Sequence, residues 1–146
     1  RNVALNEKTQ QSSTYLYKGT IPGSSSKAVD GSVFTNSKHP SVTCSHTKDA
    51  EMESWNLTFV KPVELYKMEL NNRWDDCCKE RLIGFTLHTL DPDHKLVFDF
   101  TDQEEDALRN YVIIPDTRPK ENVKFIEIIK SKSGLVLTLC EVFAFG

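Results

Sequence analysis

The 146-residue chain has no run of apolar residues approaching the roughly 20 that a membrane-spanning helix needs, so it holds no helical bilayer anchor. It has no concentrated basic face either: the net charge is −3, with Lys and Arg interspersed among Asp and Glu. Nucleic acid and anionic membrane both reward a clustered positive patch, so neither is the expected partner. There is no signal peptide, and a chain opening at Arg1 is expected to be a mature or excised domain. Zinc-type spacing is missing as well. Cys44, His46, Cys77 and Cys78 can be written as a ligand set, but no CxxC pair or HxxxH exists, and adjacent cysteines fit poorly into two tetrahedral positions. Catalytic signatures are equally thin. Ser12, Ser13, Ser24, Ser25 and Ser26 lie in polar sequence without a nucleophile elbow, and His39, His88 and His94 have no acid partner at a diagnostic spacing. Asp75, Asp76, Glu80 and Glu141 could be paired on paper for glycoside hydrolysis. Carboxylates crowded by arginine are held ionised, however, which unsuits them for general-acid work.

What is present is an ordinary globular composition, 38% hydrophobic and 27% charged, in a length that suits one domain over residues 1–146 with a single core. Four cysteines and the sequon Asn56-Leu57-Thr58 lean towards an oxidising, extracellular setting, with Asn56 a glycan acceptor. Runs rich in β-branched and aromatic residues at 54–60, 63–71, 83–90, 95–100, 110–114, 123–130 and 135–144 predict seven strands. Several alternate with period two, as in Phe125-Ile126-Glu127-Ile128 and Leu135-Val136-Leu137-Thr138-Leu139. Pro62, Gly84, Pro92, Pro115, Pro119 and Gly134 punctuate them. The class is therefore all-β, a sandwich or jelly roll. Residues 101–109 could hold one helical turn, and the first 50 residues, rich in Ser, Thr, Lys and Gly, read as long ordered loops.

The most informative stretch is Arg73-Trp74-Asp75-Asp76-Cys77-Cys78-Lys79-Glu80-Arg81, two arginines around adjacent cysteines. If those cysteines are bonded to each other, the ring they close kinks the backbone and offers a flat sulfur face beside two guanidinium groups. Arginine has five donors in a rigid fork, so a pair can clamp the hydroxyls of a sugar, and His46 can add a third polar contact. The plainer reading pairs Arg73 and Arg81 with Asp75, Asp76 and Glu80 as solvated charges. A vicinal disulfide stores strain, and stored strain clusters at functional sites, which favours the binding reading. Asp30-Gly31-Ser32 and Glu141 offer oxygen ligands of the kind calcium takes; the plainer reading is an Asp-Gly turn and an edge glutamate. Trp55 reads as a core anchor, and Trp74 as either core or stacking platform.

These residues resemble the F-type lectin (fucolectin) family. The resemblance runs through Asn2-Val3-Ala4-Leu5, Thr9-Gln10-Gln11-Ser12-Ser13, Ala28-Val29-Asp30-Gly31, Thr43-Cys44-Ser45-His46-Thr47, Asn72-Arg73, Cys77-Cys78-Lys79-Glu80-Arg81-Leu82-Ile83-Gly84 and Leu139-Cys140-Glu141-Val142. It implies a discoidin-like jelly-roll β-sandwich with long ordered loops, and a non-catalytic module binding L-fucose-containing glycans. His46, Arg73 and Arg81 would donate to the sugar, and the Cys77–Cys78 disulfide would pack under its apolar edge. Tyr15, Leu16 and Phe34 are the loop candidates for the pocket of the fucose methyl. Cys44 and Cys140 would form the second disulfide, closing a loop of roughly 100 residues and contributing roughly 4 kcal/mol in the chain-entropy model. The family's structural calcium would be held by side chains of Asp30, Ser32, Thr43 and Glu141 and by carbonyls of Lys27 and Cys140, with Ser32 where the family often has Asn. The family's usual Arg-Gly-Asp-Cys-Cys is here one residue longer, with Trp74 for Gly, and Trp74 could extend or cap the pocket. Single-sugar affinity would be weak, with avidity from several copies or a multidomain parent. The other reading on the same fold is a discoidin-type adhesion domain whose loops contact protein or lipid.

Overall fold

The computed structural model describes residues 1–38, 40–50, 52–116, 119–130 and 136–146. In chain order the strands are β1 (Lys8–Gln11), β2 (Leu16–Tyr17), β3 (Ile21–Pro22), β4 (Ser45–His46), β5 (Glu53–Leu65), β6 (Lys67–Asn71), β7 (Thr86–Leu90), β8 (Leu96–Thr101), β9 (Asn110–Ile113), β10 (Lys120–Lys130), β11 (Thr138–Leu139) and β12 (Glu141–Phe145). Short 3-10 turns occupy Ser25–Val29 and Lys79–Leu82. A five-stranded sheet in the order β1-β5-β10-β7-β8 faces a three-stranded sheet in the order β12-β6-β9, and every pairing is antiparallel.

Period-two alternation builds the core. On β5 the inward residues Trp55, Leu57 and Phe59 are buried, and Ile128 and Ile126 of β10 stand opposite Trp55 and Leu57. Leu87 and Thr89 of β7 continue that face. The smaller sheet answers with Met68 and Leu70, opposite Ile113 and Tyr111 on one side and Ala144 and Val142 on the other. Phe85 meets Tyr111 edge-on at 5.1 Å between ring centres, so aromatic contact joins the 85–90 segment to the smaller sheet. Both inner faces belong to one cluster of buried residues, the arrangement expected when two half-buried sheets cover each other. Trp55 is the core anchor expected of it, its indole N–H donating to the Ser25 carbonyl at 3.0 Å. Its neighbour Asn56 therefore turns outward, paired across the sheet with Gln10 and Glu127.

The sandwich matches the all-β reading, with three local differences. Lys8–Gln11 is a strand, although no apolar residue in KTQQ marks it; it adds to the free edge of β5, where polar side chains meet solvent on one face. Residues 102–109 hold no helix. Asp102 instead accepts the N–H groups of Gly84 and Glu104, tying an irregular loop to the β7 approach. The seventh expected strand divides into β11 and β12 at Cys140, while its first residue Leu135, together with Gly134 and His39, lies outside the described residues. No helix among the described residues is long and apolar enough to cross a membrane.

Candidate functional site

Three segments distant in sequence meet at one end of the sandwich. The first is the β2–β3 hairpin. Tyr15 N–H donates to the His46 carbonyl at 2.9 Å, His46 N–H to the Gly23 carbonyl at 2.9 Å, and Gly23 N–H to the Tyr15 carbonyl at 3.0 Å. This interlocked triangle holds the hairpin against β4. It needs glycine at position 23, because a Cβ there would sit 2.6 Å from the His46 Cβ. The second segment is β4, which pairs with β11 and is anchored one residue earlier by the Cys44–Cys140 disulfide.

The third segment is residues 72–82. Buried Asn72 donates its amide to the carbonyls of Lys79 at 2.7 Å and Leu108 at 3.1 Å, folding the chain back on itself. Cys77 and Cys78 are bonded to each other, with Cys77 exposed and Cys78 buried. The 3-10 turn follows at once; Leu82 is fully buried and pins it to the core, while Arg81 lines the same hollow as the disulfide.

Together they line a hollow of about 360 Å³ formed by Tyr15, Tyr17, His46, Arg73, the Cys77–Cys78 disulfide and Arg81, with Thr47, Lys48, Asp49 and Val136 at its edges. Arg73 is only 5% exposed, and the plainer charge-pair reading holds for half of its fork. Its Nε and Nη2 meet the Asp75 carboxylate at 2.8 to 3.0 Å, while Nη1 donates to the Tyr17 hydroxyl at 3.2 Å. That accounts for three of five N–H groups and leaves two for the hollow. Arg81 makes no ion pair with a described residue; its Nη1 lies 3.0 Å from His46 Nε2.

His46 is 6% exposed, and its Nδ1 lies 2.7 Å from the Thr47 carbonyl. A carbonyl can only accept, so Nδ1 carries the proton and Nε2 presents a lone pair. Burial lowers the His46 pKa from 6.5 to about 4, the Thr47 carbonyl opposes the change, and the positive charges of Arg81 and Arg73 add to it. Arg81 is likewise brought below its usual value, first by burial and then by Arg73. Tyr15 stacks on the imidazole at 4.5 Å and Tyr17 meets it edge-on at 5.3 Å, which fixes the ring plane.

Leu16, Phe34 and Trp74 line no part of this hollow. Leu16 is out of phase with Tyr15 and Tyr17 and faces solvent, and Phe34 is 71% exposed. Trp74 faces a separate hollow with Lys79, Glu80, Ile83, Glu105, Asp106 and Ala107, where the Lys79 ammonium sits 5.5 Å from the indole. The indole thus lies against a different hollow from the disulfide. Tyr17 escaped the sequence reading although its two-residue spacing from Tyr15 marks the same face. Lys48, Asp49 and Val136 carried no signal at all.

At the rear, Glu141 on β12 is fully buried. Its Oε1 accepts the Gly31 N–H at 3.1 Å, and its Oε2 has no partner. Burial raises its pKa from 4.5 to about 8; the Gly31 N–H opposes this, and the adjacent Asp30 carboxyl adds to it. Gly31 adopts φ +85, a conformation suited to glycine, and so aims its N–H at the carboxylate. The Ser32 N–H donates to Asp30 Oδ1 at 2.9 Å, and the Thr43 hydroxyl donates to the Phe34 carbonyl at 3.1 Å, keeping lone pairs available. An orphaned buried carboxylate oxygen beside a second carboxylate is a donor set that suits a hard cation. The zinc set fails, since its three sulfur ligands, Cys44, Cys77 and Cys78, are all in disulfides. The grouping of Asp75, Cys77 and Cys78 fails for the same reason, its carboxylate being held by Arg73.

No protein-family model matches the chain. Over 83 residues, 57% of the chain, it is 31% identical to Fucolectin-5 of Anguilla japonica; the match spans 42% of that protein, so the chain covers less than half of this relative's length. It superposes on a fucose binding module of Streptococcus pneumoniae with a TM-score of 0.84 and 30% identity, covering 100% of this chain and 98% of the other. A fucolectin from the serum of Morone saxatilis (striped bass) aligns with a TM-score of 0.79 and 26% identity over 99% of this chain and 48% of the other.

Proposed function

The chain belongs to the F-type lectin (fucolectin) family, and from that premise we propose that it is a binding module, not an enzyme, that takes L-fucose-containing glycans into the hollow over the Cys77–Cys78 disulfide. The observation that carries this reading is the convergence of Arg73, Arg81 and the His46 Nε2 lone pair on one small hollow floored by that disulfide. Arg73 and Arg81 donate their remaining N–H groups to sugar oxygens. His46 has its single proton spent on Thr47 and its Nε2 lone pair facing Arg81 Nη1 at 3.0 Å, so a sugar hydroxyl that donates to Nε2 takes the place of Arg81 there, and the expectation that His46 donates is revised accordingly. The disulfide and the Tyr15 ring supply the apolar surfaces for the sugar's hydrocarbon edge and methyl group. Donors already held by Asp75, Tyr17 and Thr47 lose little freedom on binding, which suits a shallow polar site. The same converging donors favour a sugar over the protein or lipid contact of a discoidin-type adhesion domain.

The reading extends to a structural calcium held by the side chains of Asp30, Ser32, Thr43 and Glu141 and by the carbonyls of Lys27 and Cys140. The ion would supply positive charge to Glu141 and Asp30 and join the Asp30-Gly31 loop to β12. The two disulfides support an oxidising, extracellular setting for the module, and the partners proposed for it are fucosylated glycans or glycoproteins.

A glycan array competed with free L-fucose tests the function. Hits confined to fucosylated structures, displaced by L-fucose and lost in Arg81→Ala and His46→Ala, are expected. An array with no fucosylated hit, or one unchanged in both variants, overturns it.

A further inference from the structure

We infer that the rim of the hollow forms a second subsite, with Lys48 as its cation, for an anionic substituent, a sulfate ester or a carboxylate, on a sugar attached to the bound fucose. The inference rests on the fucose reading of the same hollow and names a preference within it.

The backbone of Lys48 is tied on both sides. Its N–H donates to Ser13 Oγ at 2.8 Å, and Ser13 in turn donates to the carboxylate of Glu53, which is 3% exposed, at 2.6 Å. Its carbonyl accepts the Thr47 hydroxyl at 2.9 Å, and that hydroxyl accepts the Leu137 N–H at 2.9 Å. Both backbone groups of one residue are therefore tied to side chains of a buried polar network. Lys48 is exposed, belongs to the lining of the hollow and forms no ion pair with a described residue.

The charges in the hollow do not cancel. Arg73 is matched by Asp75. Among the described residues, Arg81 and Lys48 are cations without an ion-paired carboxylate, and Asp49 is the opposing charge in the lining. A neutral sugar leaves that surplus in place, whereas a ligand with an anionic group beyond the fucose offsets it. Tyr15, 42% exposed and stacked on His46, gives the same hollow a rigid aromatic face. Exposed pairs of this kind contribute modestly and are screened by salt, so the preference is a matter of several-fold and fades as ionic strength rises.

The test measures affinities of the intact chain for free L-fucose, a neutral fucosylated trisaccharide, and the same trisaccharide carrying a sulfate or a sialic acid, in 50 and 500 mM NaCl. The wild type is expected to bind at least one anionic glycan about threefold or more tighter than its neutral parent at low salt, with the gap closing at high salt. Which of the two glycans gains identifies the source of the negative charge. Lys48→Ala should erase the gap while leaving free fucose affinity unchanged, and Asp49→Asn should widen it. Equal affinity for neutral and anionic glycans in the wild type, or a Lys48→Ala loss that is as large for free fucose, overturns the subsite. If the wild type binds fucose and all three glycans equally, only the subsite falls; if it binds none of them, the fucose reading falls with it.

Discussion

At His46 the backbone chooses the tautomer: the Thr47 carbonyl takes the Nδ1 proton, and Arg81 then faces a lone pair instead of a second N–H. Protonating Nε2 would place a cation in a buried position and, to a lesser degree, set it against two arginines, which is why the pKa falls to about 4. Since the unfolded chain takes up the proton near 6.5, stability is whole above that pH and declines as pH falls towards 4. The full difference is about 3 kcal/mol. Denaturant titrations at pH 7, 5.5 and 4 should show a steeper acid loss in the wild type than in His46→Gln, and fucose affinity should hold at pH 6 and fail near pH 4. Parallel acid profiles for the two proteins would refute the assignment. Glu141 makes a second residue-scale case. With one carboxylate oxygen unpartnered and buried, Glu141→Gln keeps the shape but cannot ionise to hold a cation. Calcium is expected to raise the melting temperature of the wild type in proportion to the logarithm of its concentration, and to leave Glu141→Gln unmoved. That Arg73 and Arg81 line one hollow with the disulfide was legible from their flanking of adjacent cysteines. Their different fates were not, because which arginine finds a carboxylate depends on how the 72–78 turn folds back.

Among the elements, the two that carry the site are short and owe their shape to buried anchors. The turn Lys79–Leu82 follows the disulfide and is held by Leu82 in the core and by Asn72 on the Lys79 carbonyl. Leu82→Ala should cost about 2–5 kcal/mol, as for other buried leucines, and should also loosen Arg81. Ile126→Ala, on the far strand β10, should cost a similar amount without that second effect. Fucose affinity measured where both variants are fully folded should fall in the first and hold in the second. Equal affinities would show that the turn does not position Arg81. Gly23→Ala tests the hairpin in the same way: the added methyl overlaps His46 Cβ, so either β4 or the hairpin must move, at about 1–3 kcal/mol and with weaker sugar binding. Period-two patterns made β5, β7, β10 and β12 visible beforehand, since half their side chains are apolar and buried. β1 was not, because a polar edge strand is held by backbone pairing to β5, and backbone pairing leaves no mark on residue choice.

Across the whole molecule, the Cys44–Cys140 bond joins segments 96 residues apart and lies between the hollow and the Glu141 cluster. Removing it in a Cys44→Ser, Cys140→Ser double variant is expected to cost about 2–5 kcal/mol, read as a lower denaturation midpoint. An unchanged midpoint would mean that the core alone holds β4 in place. Composition, alternation and cysteine pattern were enough to determine an all-β sandwich, its core strands and the segment around the vicinal cysteines, because burial and turn chemistry act locally on residue type. Tertiary structure alone decided that Trp74 leaves the hollow, that Tyr17, Lys48 and Asp49 enter it, and that His46 accepts instead of donating. Each of these follows from contacts between segments far apart in the chain, set by loop paths that no local pattern encodes.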